Sequence, residues 1–420
     1  MSEAYPIRVI GEEQFPAFHA VAEQAFSSAR PTAESIRHEL ITFEADRSLA
    51  AFDGTGIVGT ACSFSFALTV PGGAAPAAGV SAVTVLPSHR RRGILSGLMR
   101  RQLAGVRDRG ESVAVLFASE AGIYRRFGYG PASQMATFSV GRGEGRLVPD
   151  APSDPGLRLR LTEPQAARQA LAKVYDTVLP TRPGLFARSD RWWESVLDDP
   201  GFARQGTTPL RCVLAGDGTG PRGYALVRAR PGWDEDGLPD TSIVVQELMA
   251  SDPAATAALW ADLLTRDLAS TVTARLRPAD DPLLHLLADP RRARARVSDG
   301  LWARLTDVGA ALAQRRYAAP VDAVIEVTDR FCPWNAGRWR LTTDAAPAHP
   351  AAGLAATCQR TPAPADVSLP AYALGAAYLG GGGLVALAAA GLVTEVRPGA
   401  LAALAAALSW QPLPWCPVIF

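Results

Sequence analysis

"VTVLPSHRRRGILSGL", residues 83–98, is the stretch on which the reading of the fold turns. It runs from β-branched residues through a proline and three arginines to a glycine, then into helical spacing. Pro87 cannot donate to a sheet ladder and ends the strand-like run. Beyond Gly93 the apolar residues Leu95, Leu98, Met99, Leu103 and Val106 recur at three- and four-residue steps, which predicts an amphipathic helix. The arginines therefore occupy a strand-to-helix turn. The first backbone N–H groups of a helix have no intrahelical acceptor, and the helix dipole adds partial positive charge, so such a turn suits an anion. Gly93 leaves open the space where a Cβ would stand, and alternation along the strand puts the side chains of Ser81, Val83 and Val85 on one face. A bare run of three arginines also fits a solvated charge patch. Nucleic-acid binding fits it less well, because no aromatic residues interleave the arginines.

The rest of the chain narrows these readings. Its 420 residues exceed what one core usually organises and imply two or three domains. With 42 basic against 41 acidic side chains, it has no general pull toward nucleic acid or anionic membrane. Cys62, Cys212, Cys332, Cys358 and Cys416 are isolated and odd in number, which points to reduced thiols in a cytoplasmic setting rather than a disulfide frame or a metal site. The amino-terminal "MSEAYPIRVIGEEQF" carries charges where a secretory leader needs an apolar run. Val367–Thr394 lacks charge over 28 residues, but Pro370, the run Gly380–Gly383 and its alanines predict two buried helices joined by a glycine turn, not a membrane span.

Strand-like "SLAAFD", "GIVGTACSFSFALTV", "AGVSAVTVLP", "SVAVLFAS" and "MATFSV" alternate with helical runs, which predicts an α/β layer fold. "GRGEGRLVPDAPSDPG" (141–156) reads as a linker; no helical pattern follows its glycines, as a dinucleotide fingerprint would need. The order then repeats, with helix-like "EPQAARQALAKVYDTV", strands "LRCVLAGD", "GYALVRAR" and "SIVVQELMAS", helix "PAATAALWADLLTRDL" and strand "TVTARLR". At the equivalent junction the second copy reads "LMASDPAATAAL" (248–259), where Ser251 or Asp252 can cap the helix and Pro253 opens it. An aspartate there repels phosphate, so the second copy is expected to bind no ligand at that point. A third segment from about residue 300, with "LWARLTDVGAALAQRRYA" and "VDAVIEVTDRFCPWNAGRWRL", suggests a small α+β domain.

Arg90-x-x-Gly93-x-Leu95 after a strand resembles the pyrophosphate loop of the Gcn5-related N-acetyltransferases (GNAT), with Leu95 where the pattern has a small residue. "HRRRGIL" followed by "ASEAGIYRRFGYGPAS" (118–133) resembles the Eis (enhanced intracellular survival) acetyltransferases, and the likeness continues through "DPLLHLLADPRRARARVSDGLWARL" to Phe420. It implies an α/β (α+β) chain with tandem GNAT-type domains and a sterol-carrier-protein-like α+β domain. The expected boundaries are 1–142 for the catalytic domain, 143–298 for the degenerate copy, and 299–420 for the sterol-carrier-like domain, whose tail reaches the first active site. It further implies acetyl-CoA as co-substrate, an aminoglycoside-, polyamine- or lysine-like amine acceptor, and a homo-hexamer. No metal, nucleic acid or membrane span is expected.

Acetyl transfer from a thioester to an amine needs a held donor, a polarised thioester oxygen, a base and an acid. Amides from Arg91 to Ser96, Gly93 and Ile94 among them, with Arg90 and Arg91 as charge partners, would hold the pyrophosphate. The resemblance places main-chain groups of Val83 and Val85 on the pantetheine arm, the Val83 amide near the thioester oxygen, and Ser119 against the co-substrate. Tyr124 fits the acid that protonates the departing thiolate, with Tyr129 as local competitor and amphipathic packing as the plain alternative. None of the five histidines has an evident partner, and His89 beside the loop fits a solvent-facing residue. In the resembled family the base is the terminal carboxylate, here that of Phe420; the prolines of "WQPLPWCPVIF" would stiffen such a tail and its aromatics anchor it against the first domain. Ile419 stands where some relatives have an acidic residue, leaving Glu23 and Glu34 as the nearest acidic candidates for an amine pocket. Nothing local marks Cys416 as a nucleophile. The competing class is a non-catalytic protein that senses acyl-CoA or carries an apolar ligand in its third domain.

Overall fold

The structure, a computed structural model, describes residues 5–345 and 353–420; Met1–Ala4, the start of the stretch read for a leader, lie outside them. The chain divides into two units. Residues 1–133, 300–414 and 419–420 form the first, and 134–299 with 415–418 form the second.

The first unit holds a seven-stranded sheet in the order Ile7–Val9, Leu49–Asp53, Gly56–Val70, Gly73–Val85, Val113–Phe117, Leu301–Leu305, Gly130–Pro131. Gly73–Val85 and Val113–Phe117 run parallel, and the other neighbours are antiparallel. A parallel pair needs a crossover, and the helix Ile94–Asp108 supplies it. The expected spacing holds, with Leu98, Met99, Leu103 and Val106 buried on the sheet beside Ile94 and Gln102.

A second sheet of this unit orders Ala356–Arg360, Gly337–Thr343, Asp322–Thr328, Val367–Pro370 and Thr394–Glu395. Here the reading of Val367–Thr394 needs correction. Val367–Pro370 is a strand, paired in parallel with Ile325–Thr328, and only the helix Ala371–Tyr378 is deeply buried. The helix Leu384–Ala389 buries Leu384 alone and leaves Val385 exposed. The glycine turn between the helices is present, with positive φ at Gly380, Gly382 and Gly383. Among the described residues no helix is long and apolar enough to cross a membrane. Where Ala371–Tyr378 meets the first sheet, backbone lies on backbone: a Cβ on Gly375 would stand 2.2 Å from the Ala303 carbonyl oxygen, and one on Gly130 2.0 Å from that of Tyr372.

The second unit repeats the plan. Its sheet runs Arg296–Asp299, Gln134–Gly141, Ala269–Pro278, Thr241–Ala250, Gly220–Arg230, Arg211–Asp217, Arg158–Thr162, with Thr241–Ala250 parallel to Ala269–Pro278. The crossover helix Pro253–Leu264 buries Leu259, Trp260 and Leu263 in its core. The stretch read as a linker is held in place: Glu144 pairs with Arg294 at 2.6 Å and Asp154 pairs with Arg222. A strand, Arg158–Thr162, follows it.

Candidate active site

The site opens where the parallel pair of the first unit comes apart. Pairing between Gly73–Val85 and Val113–Phe117 stops at Gly79 and Val115, although both strands continue. On its other side the first of these strands carries a bulge. Thr60 faces Thr84 and Cys62 faces Ser81, so Ala82 and Val83 together oppose Ala61. Ala82 adopts φ +49°, which is unusual for a residue with a Cβ. The bulge interrupts the alternation that would have put Ser81, Val83 and Val85 on one face.

Below the split lies the arginine turn. After a 3-10 turn at Pro87–His89, Arg91 (φ +63°) and Gly93 (φ +84°) are left-handed, and Gly93 caps the helix. Two left-handed residues before a helix aim successive amides into a shared concavity, which suits an anion. A Cβ on Gly93 would meet nothing within 4 Å, so glycine serves the backbone angle and the open approach. The three arginines have different settings. Arg92 donates to the Tyr5 hydroxyl at 2.7 Å, whereas Arg90 and Arg91 border the cleft. His89, expected to face solvent, lies with Nε2 3.1 Å from Asp53 and Nδ1 2.9 Å from the Ser88 hydroxyl.

A cavity of about 660 Å³ fills this split. Val83, Val85, Arg90, Arg91, Gly93, Ile94, Ser119 and Tyr124 all line it. The sequence reading missed Phe26, Glu120, Ile123 and Arg126, which also line it; neither Glu23 nor Glu34 does. Phe26 had no periodic signal to single it out, because it caps the end of the helix Phe15–Ala25.

Tyr124 ends a one-turn helix, Ala121–Tyr124, and is 6% exposed. Burial pushes its phenol above the usual value of 10; a hydrogen bond with Ser119 acts the other way, and Glu120 adds to the rise. It therefore holds its proton at neutral pH while facing the cavity. Tyr129 packs edge-on against it, ring centres 6.0 Å apart, but is fully buried and has no hydroxyl partner among the described residues. It does not line the cavity. Behind both, Arg304 and Asp329 form a buried ion pair at 2.6 Å that no sequence pattern announced.

Phe420 is not among the residues lining the cavity. Its ring lies edge-on to Phe66 (4.9 Å), Phe117 (5.5 Å) and Phe64 (6.3 Å), and Phe117 is the last residue of the strand that splits away. Gly79 makes room for this, since a Cβ there would meet the Phe66 ring at 2.1 Å. Ile419 is exposed. Cys416 is buried with its thiol pushed up to about 12, chiefly by desolvation, which makes it a poor nucleophile.

The second unit has the same split, but it is filled. Pairing of its parallel strands ends at Val245 and Ala274. Beyond that, Arg277 Nη1 donates to the Leu248 carbonyl at 2.8 Å, and the Trp415 indole donates to the carbonyl of Leu276. The helix start is occupied as well. Asp252 accepts from the Ala255 amide at 2.9 Å and is gripped by Arg222, which also binds Asp217 and Asp154. Own side chains thus occupy, in the second unit, the strand and helix-start positions that line a cavity in the first.

The split parallel pair, the anion turn and the tyrosine acid candidate, repeated in part by a filled copy, define an acetyltransferase of the GNAT class. The acetyltransferase (GNAT) domain family matches residues 6–132, a second family of that description matches 184–305, and the sterol carrier protein domain matches 308–417. The chain belongs to the Eis family of N-acetyltransferases: it is 34% identical to N-acetyltransferase Eis of Mycobacterium tuberculosis over 90% of both chains. An uncharacterized N-acetyltransferase of Streptomyces avermitilis is 45% identical over 98% of both. The crystal structure of Eis1 from Mycobacterium abscessus superposes with a TM-score of 0.81 at 34% identity, over 99% of this chain and 100% of that one.

Proposed function

We propose that this chain transfers acetyl from acetyl-CoA to a primary amine of aminoglycoside, polyamine or lysine type, with Tyr124 as general acid and the Phe420 carboxylate as general base. The observation that carries this reading is that the anion turn and Tyr124 line one cavity in the split of the parallel strands. The turn at Arg90–Ser96 holds the pyrophosphate, with Arg90 and Arg91 as counter-charges. Main-chain groups of Val83 and Val85 hold the pantetheine arm, and Ser119 contacts it.

The carboxylate takes the ammonium proton, and the freed amine attacks the thioester carbon to form the C–N bond. The carbonyl π pair moves to oxygen, where the Val83 amide stabilises the charge. As the intermediate collapses, the C–S bond breaks and the thiolate takes the Tyr124 proton, while the surplus proton on the new amide nitrogen is lost through solvent to the Tyr124 phenolate, which restores the acid. Three aromatic rings around the Phe420 side chain support its role, since they fix where the tail ends. On this reading the segments expected at 1–142, 143–298 and 299–420 are the catalytic part, the silent copy and the sterol-carrier-like part of a cytoplasmic hexamer, with the strand Gln134–Gly141 belonging to the sheet of the silent copy. Tyr124→Phe should lower kcat by about 10² or more, the scale of a positioned general acid. Thiol release across an amine panel, set beside acetyl-CoA binding without acceptor, completes the test. Unchanged turnover in the variant removes Tyr124 from the mechanism, and binding without release for every amine favours an acyl-CoA sensor.

A further inference from the structure

We infer that Thr60, backed by Thr84, is a positioning residue that aims the Val83 amide at the thioester oxygen. This rests on the reading of that amide given above. Thr60 is fully buried, and its hydroxyl lies 2.7 Å from the Ala82 carbonyl oxygen and 2.5 Å from the Thr84 hydroxyl. The carbonyl can only accept. Thr60 has one proton, so it donates that proton to Ala82, and Thr84 donates to Thr60. Two hydroxyls in series, out of water, strengthen the terminal bond.

That bond lands at the one place in the strand where the backbone needs holding. Ala82 sits at φ +49°, a conformation that costs an L-residue about 1–2 kcal/mol. Register pairing skips both Ala82 and Val83. A trans peptide points its C=O and its N–H in opposite directions. With the Ala82 oxygen drawn toward the strand Gly56–Val70, the Val83 N–H points away from that strand. On that side pairing with Val113–Phe117 has already ended, and Val83 lines the cavity. The bulge frees the amide, and Thr60 sets its direction. An amide fixed before the substrate arrives needs no reorganisation as charge develops on the thioester oxygen.

Thr60→Val keeps the branched shape and removes the donor; Thr60→Ser restores it. Removing an oxyanion donor outright costs about 10²–10³ in kcat, so an amide left in place but unaimed should cost about 10–10². The KM for acetyl-CoA should stay within about threefold, because the arginine turn is untouched. Thr84→Val should fall between wild type and Thr60→Val. A second readout needs no turnover: the carbonyl stretch of acetyl-CoA labelled with ¹³C at the acetyl carbonyl, bound without acceptor, read by infrared difference spectroscopy. In wild type the band should lie below its free frequency, in Thr60→Val it should return toward it, and Thr60→Ser should recover both the band and kcat. A Thr60→Val protein with wild-type kcat and band position overturns the positioning role. A wild-type band at the free frequency overturns the Val83 reading itself, independently of Thr60.

Discussion

Gly93→Ala separates the two uses of the glycine in the anion turn. Gly93 sits at φ +84° with open space where a Cβ would go, so the substitution meets no clash. Its cost is conformational, about 1–2 kcal/mol for an L-residue held left-handed. The loop has two ways to take that cost. If it stays left-handed, the free protein is destabilised by that amount, and a methyl group stands where the anion must approach. If it relaxes to negative φ, the free protein is spared, and acetyl-CoA binding must restore the strain. At 1.36 kcal/mol per decade this raises the KM for acetyl-CoA by about 5- to 30-fold. Gly110, just past the other end of the same helix, is the internal control. It has φ +77° and is equally open, but it does not line the cavity. Gly110→Ala should lose about the same stability in urea titration and keep the wild-type KM. Thiol release against acetyl-CoA concentration reads the difference. If the two variants share one KM within twofold, the turn is not the phosphate site.

Phe66→Leu withdraws the ring nearest Phe420; an edge-to-face pair contributes about 0.5–1.5 kcal/mol, so kcat should fall by about 2- to 12-fold, measured by thiol release at saturating acetyl-CoA. Gly375→Ala should destabilise the first unit by about 1–3 kcal/mol or more, since the methyl group runs into the Ala303 carbonyl, and a lowered urea midpoint would register it. Around Arg222 the carboxyls of Asp154, Asp217 and Asp252 are held below their usual 3.8, each chiefly by hydrogen bonding: Asp154 and Asp252 first by the Arg222 guanidinium, Asp217 first by Thr219 with Arg222 contributing. Depressed acids stabilise the fold above their unfolded pKa and lose that contribution as pH falls through the folded values. Urea midpoints of wild type should therefore drop below about pH 4, and Arg222→Leu should flatten that drop.

Much of the fold was legible because periodicity and punctuation agreed: Pro87, Gly93 and the spacing from Leu95 to Val106 located the central turn and its helix. The repeat was legible at Asp252, where cap chemistry and charge pointed to one outcome. What escaped depends on partners far apart in sequence. Nothing about Ala82 announces a left-handed residue; its angle follows from the register shift between the Thr60–Thr84 and Cys62–Ser81 pairs, and so the hydroxyls that hold it have no sequence signal. Val367–Leu369 has the composition of a buried helix start, and only its neighbour Ile325–Val327 makes it a strand. Arg304 sits mid-strand as an apparent charge on an apolar run, and Asp329, 25 residues on, explains its burial. Trp415 reads as an anchor for the tail on the first domain, but it packs in the core of the second unit and its indole donates to the Leu276 carbonyl, a partner that spacing does not give.

The close approach at Gly130 and Gly375 bears on how the chain can be cut. Where carbonyl oxygens occupy the space that a Cβ on the facing glycine would need, the seam is closed by main chain, and no choice of side chains can replace it. A chain shortened after Leu305 would bare that seam to water and take away the helix that covers Leu301–Leu305. Exchanging the sterol-carrier-like segment for one from a relative should succeed only when the incoming helix carries a residue without a Cβ at the same point. The transferase cannot be studied as its first 133 residues alone, and a transplanted third segment must match it glycine for glycine.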